Sequence, residues 1–110
     1  MIITGIAASP GTAEGRIRVI TSLDDFGRFG AGEILVCRTT SPAWTPLLSR
    51  AAAVITEVGS RLAHAAIVAR ELGIPAVVGA DRAMSILRDG QRARVDGTAG
   101  TIMIMEAAAR

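Results

Sequence analysis

His64 is the sole histidine among 110 residues. It lies inside the run TEVGSRLAHAAIVARELGIPAVVG, residues 56–79, just after a Gly59-Ser60 break and at the opening of an Ala-rich helical pattern. A neutral imidazole is a competent nucleophile near pH 7, and covalent catalysis through it splits one phosphoryl transfer into two easier steps. A helix start at this point supplies unpaired backbone N–H groups and the positive end of the helix dipole, both of which stabilise an attached phosphoryl group. Ala63, Ala65 and Ala66 are small enough to let a bulky substrate or another protein approach. The competing reading is a half-buried histidine on an amphipathic helix, and helix-end electrostatics alone do not decide between the two.

Other site chemistries find less support. One histidine and one cysteine do not build a typical zinc set, and no carboxylate cluster stands at ligand spacing, so no metal site is expected. No serine has the Gly-x-Ser-x-Gly setting of a nucleophile elbow, although a Ser-His-Asp arrangement stays open. The chain contains no lysine, which removes a P-loop and leaves any nucleotide to be handled elsewhere. Cys37, in a strand-like apolar run, reads as a buried reduced thiol. Arg70 and Glu71 read as a solvated or structural charge pair, and Trp44 as a packing anchor whose alternative is partner docking.

Composition narrows the class further. Half of the residues are hydrophobic, yet the aromatics amount to two Phe and one Trp, so the core must be aliphatic and suits close helix-on-sheet packing. A net charge of +2 comes from scattered arginines nearly balanced by acids. With neither a basic stripe nor stacking rings, nucleic acid is not an expected partner. No apolar stretch approaches the roughly 20 residues that span a bilayer, and the first residues have no leader pattern, so the expected compartment is the cytoplasm. Met1 directly before the first strand reads as a natural start.

The elements that must position His64 follow from periodicity. Ile2–Ala8 and Gly15–Ile20 read as strands around a Ser9-Pro10-Gly11 turn, and Glu33–Cys37 as a strand buried on both faces. Trp44–Arg50 reads as a short helix with Pro46 in its first turn, and Ala52–Thr56 as a second buried strand. A helix is predicted from about Arg61 to Leu72, with Leu62, Ala65, Val68, Ala69 and Leu72 on its core face and Gly73 as its stop. On that wheel His64 falls roughly 90° from the apolar centre, at the border of core and solvent. Ala76–Val78 is the next strand, and Asp81 is expected to cap a helix to about Leu87. Arg92–Asp96 and Thr101–Met105 pair across a glycine-bounded turn. The class is α/β, in one domain covering residues 1–110.

The 56–79 run resembles the phosphohistidine signature of the mobile, or swivelling, domain of phosphoenolpyruvate-utilizing enzymes, such as phosphoenolpyruvate synthase, pyruvate phosphate dikinase and rifampicin phosphotransferase. Ala8-Ser9-Pro10-Gly11 with Gly15, Ile34-Leu35-Val36 leading through Thr39 to Trp44-Thr45-Pro46-Leu47, and Val95-Asp96-Gly97-Thr98 resemble further landmarks of that family in the same order. The resemblance implies a β/β/α swivelling fold and a histidine, His64, phosphorylated through Nε2. Gly59, Ser60, Arg61 and Ala63 then belong to the loop and helix start that present it. The family usually has Gly-Gly where this chain has Gly59-Ser60, and the Ser60 Cβ would restrict the loop if that position needed positive φ. It usually has Ser, Thr or Cys where this chain has Ala63, which offers no hydroxyl or thiol to a phosphoryl group. Leu62 stands where the dikinases carry a regulatory threonine.

The resemblance also implies partners: an ATP-grasp nucleotide-binding domain or subunit, a phosphoenolpyruvate/pyruvate barrel, or both. No cofactor is expected on this chain, Mg-ATP or phosphoenolpyruvate being held by the partner. The expected function is a phosphoryl carrier that is incomplete alone. The rival expectations are a degenerate non-catalytic interaction or regulatory module, and the swivelling subunit of an aconitase-type dehydratase, which would not need His64.

Overall fold

Three short apolar runs form the centre of the molecule: β4 (Ile34–Cys37), β5 (Ala53–Thr56) and β6 (Ala76–Val78), all parallel neighbours and all buried along their length. Strands covered on both faces have no reason to alternate polar with apolar residues, and these do not. The computed structural model describes residues 1–106, and residues 107–110 of the expected domain lie outside the described part. The remaining strands are β1 (Ile2–Thr4), β2 (Ile6–Ser9), β3 (Thr12–Val19), β7 (Arg92–Asp96) and β8 (Thr101–Glu106). They complete a sheet in the order β1-β8-β7-β3-β4-β5-β6-β2.

Strand β3 joins two kinds of sheet. Its first five residues, Thr12–Arg16, pair antiparallel with β7, and Ile17–Val19 pair parallel with β4. Because successive side chains point to opposite faces, the central strands feed two cores. Ile34, Val36, Ala53, Ile55 and Val77 point toward Ile3, Ile17, Val95 and Ile102, where the antiparallel half folds over them. Leu35, Cys37, Val54, Ala76 and Val78 point the other way, toward Leu47 and Leu48 of α1 (Thr45–Leu48) and Ala66 and Ala69 of α2 (His64–Leu72). The layering is β/β/α, as the family resemblance implied. A third helix, α3 (Ala83–Ile86), closes the first core through Ala83.

Several boundaries differ from the sequence reading. The Ile2–Ala8 segment breaks at Gly5 into two strands at opposite ends of the sheet order, because its halves find different partners, β8 and β6. The polar connector contains a 3-10 helix, Leu23–Arg28, and another 3-10 turn, Pro42–Trp44, precedes α1. Asp81 does not cap α3: Arg82 occupies the cap position at φ 64, and the carboxylate of Glu57 accepts the Met84 N–H at 2.9 Å. Helix α2 starts at His64 rather than Arg61, which leaves Leu62 82 % exposed and Leu72 at the surface. Its buried face is Ala65, Ala66 and Ala69, small residues that let the helix lie close on β2 and β6.

Candidate active site

The loops that leave the carboxyl ends of β4 and β5 meet, the usual location of ligand sites in open α/β sheets. The strand ladder continues into them: the Glu57 N–H donates to the Cys37 carbonyl and the Val58 N–H to that of Arg38, each at 3.0 Å. This zipper carries the loop after β4 to the helix that opens with His64. There Thr40, buried to 9 % exposure, sets its Oγ1 2.8 Å from His64 Nδ1. In the tautomer with its proton on Nδ1, the ring donates to the Thr40 oxygen and Nε2 keeps a free lone pair. That arrangement fixes the ring and leaves one nitrogen available.

The loop from Glu57 to Ala63 is held by its own bonds. The Thr56 hydroxyl donates to the Val58 carbonyl at 2.8 Å, and Gly59 sits at φ 136, where a side chain would be strained. Ser60 has no positive φ, so the Cβ that replaces the family's second glycine meets no backbone conflict. Its Oγ accepts the Leu62 N–H at 3.2 Å and its carbonyl accepts that of Ala63 at 3.0 Å, making a tight turn before the helix. This turn is why α2 begins at His64, three residues after the Arg61 start that periodicity suggests. Ala63 is the N-cap, with extended backbone and no side-chain cap bond. Above it the first-turn N–H groups of α2 have no acceptor within the helix.

Arg70 has a different task from the one expected. Instead of pairing with Glu71, its guanidinium donates to the carbonyls of Ala8, at 2.7 Å, and Arg61, at 2.8 Å. It thereby ties the signature loop to β2. Gly59, Ser60, Arg61, Ala63 and His64 thus stand together on one loop and helix start. Trp44 stands edge-on to Phe26 with ring centroids 5.1 Å apart and packs on the helix-side core. Cys37 is fully buried, and burial pushes its thiol up to about 12, the behaviour of an unreactive core residue.

Sequence reasoning passed over Thr40, which lies 24 residues before His64. The available signal was a pair of threonines directly after a buried strand, and only the parallel pairing of β4 with β5 says which loop they would face. No group of three His, Cys, Asp or Glu side chains gathers among the described residues in a way that could hold a metal ion.

Comparison with known proteins adds to this geometry. A family model described as PEP-utilising enzyme, mobile domain, matches residues 29–100. A rifampicin phosphotransferase of Streptomyces sp is 48 % identical over 103 residues, 94 % of this chain and 12 % of that protein. A phosphoenolpyruvate synthase of Aeropyrum pernix is 44 % identical over 103 residues, 93 % of this chain and 13 % of that protein. The solution structure of an Enzyme I protein is similar with a TM-score of 0.60 and 33 % identity, covering 67 % of this chain and 31 % of that one. The chain therefore spans about an eighth of the length of these curated relatives. Its signature loop, its β/β/α layering and these likenesses agree: the chain belongs to the mobile-domain family of the PEP-utilising enzymes.

Proposed function

We propose that His64 is the carrier residue, phosphorylated on Nε2 in one active site and relieved of the phosphoryl group in another. The observation that carries this reading is the 2.8 Å contact between Thr40 Oγ1 and His64 Nδ1, which occupies one ring nitrogen and leaves the other for chemistry. In the forward step the Nε2 lone pair attacks phosphorus, the Nε2–P bond forms, and the bond to the leaving oxygen breaks with its electron pair staying on that oxygen. The first-turn N–H groups and the positive end of α2 lie at the base of the same side chain and favour the added negative charge. Catalysis of this kind is mostly positioning and electrostatics. Thr40, Gly59, Ser60 and Arg70 are positioning residues, acting through the ring or its loop.

The donors in this reading are Mg-ATP or phosphoenolpyruvate, held by an ATP-grasp or barrel partner in the cytoplasm, and the chain itself binds no cofactor. The test is intact mass after incubation with each donor and the partner. An acid-labile gain of about 80 Da, the mass of one phosphoryl group, in the wild type and its absence in His64→Ala are expected. No gain with a demonstrably active partner would move the assignment to a non-catalytic interaction module. An aconitase-type role gives the Thr40–His64 pair nothing to do.

A further inference from the structure

We propose that the cleft between the Ser9-Pro10-Gly11 turn, the β7–β8 turn and the signature loop binds a small phosphate-bearing molecule. The cleft encloses about 230 Å³ and is walled by Ala7–Pro10, Gly97, Thr98, Arg61 and Arg70, a lining that includes two arginines and no Asp or Glu. None of the ion pairs among the described residues involves Arg61 or Arg70. Arg70 directs NH1 and NH2 at backbone carbonyls, an arrangement that fixes its plane while its positive charge stays uncompensated. Thr98 Oγ1 accepts the Gly11 N–H at 2.9 Å, so its own proton remains to be donated. Asp96, the carboxylate next in the chain to Gly97, turns Oδ1 to the N–H groups of Thr98 and Ala99. The wall therefore offers donors and positive charge, the complement of an oxyanion. Its volume suits a phosphate group with a small organic remainder, and two arginines in one wall favour phosphate over a single carboxylate.

The site is distinct from the imidazole, so its test is independent of the carrier reading. Inorganic phosphate is titrated into the ¹⁵N-labelled chain at constant ionic strength, with sodium chloride and sodium acetate as parallel arms. Saturable shifts of the Ser9, Gly11, Gly97 and Thr98 amides with phosphate are expected. Arg61→Gln, an exposed change that keeps the carbonyl bonded by Arg70, should weaken them at least tenfold, and His64→Ala should leave them in place. Equal shifts with chloride would overturn the proposal. So would saturation by acetate alone, which marks a seat for a partner's carboxylate, or phosphate shifts confined to His64–Ala66, which put the anion at the helix start.

Discussion

The exposed strands of the antiparallel half and the loops that hold His64 use polar side chains in different ways. In the antiparallel half, charged groups meet one another across exposed strands: Glu14 lies 2.7 Å from Arg94 and 3.6 Å from Arg92, and Arg16 lies 3.6 Å from Glu106. The hydrogen bond from Arg94 holds the Glu14 carboxyl below its usual range. In the loops at the carboxyl ends of the parallel strands, polar groups address backbone or the imidazole instead, while the Arg18–Glu33 ion pair lies at the other end of β4. Thr40 meets His64, Thr56 its own loop, Glu57 the start of α3, and Arg70 two carbonyls. Exposed ion pairs are loosely constrained and screened by salt. Side-chain bonds to backbone select one loop conformation, and a transferable phosphoryl group needs that selection.

The seam between the halves is where the largest effect is expected. A Cβ on Gly97 would stand 1.8 Å from the Ser9 carbonyl oxygen, with backbone on both sides. Gly97→Ala should cost about 3 kcal/mol or more, at the upper end of overpacking effects, read as a fall in the urea midpoint. A normal midpoint would mean that the two halves are not locked there. Alkaline pH comes next. The folded chain keeps the Cys37 thiol neutral to about 12, whereas the unfolded thiol ionises near 9.0. Stability from this group is complete below 9.0 and falls as pH rises toward 12. With no lysine and no tyrosine, Cys37 is the side chain that titrates in that window, so Cys37→Ala should flatten the alkaline slope of the urea midpoint.

Smaller effects separate positioning from stability. Thr40→Val should slow His64 phosphorylation about tenfold, the equivalent of one hydrogen bond worth ~1.4 kcal/mol, while the melting temperature moves little. Thr40→Ser, which keeps the oxygen, should recover most of the rate. Ala63→Ser should raise stability by about 0.5–1 kcal/mol through a new N-cap bond, seen as a higher melting temperature. Least of all, Glu14→Gln should leave both the phosphorylation rate and the urea midpoint at wild-type values in 0.15 M salt, roughly the ionic strength at which exposed charges are screened. A loss of rate there would break the contrast between the exposed strands and the loops.

Much of the site was legible locally. The sole histidine, Gly59 and the small residues around the helix start are neighbours in the chain, so local sequence already groups them. Runs such as Ile34–Cys37 and Ala53–Thr56 announced strands covered on both faces. Thr40 and the true use of Arg70 were not legible, because their partners lie 24 and 62 residues away and hydrogen-bond register has no sequence period. The helix start was misplaced for a related reason. Hydrophobic periodicity counted Leu62 into α2, but Gly59 and the Ser60 turn hold the chain out of helix until His64.

By itself, then, the sequence determined the sole histidine and the buried strands, since residue type and short-range spacing are enough to specify each, and the resemblance of its 56–79 run pointed to the family. Tertiary structure alone decided which ring nitrogen is held, what anchors the signature loop and where two arginines share a cleft. Those depend on which strand ends lie side by side, and that is settled by packing across the whole sheet.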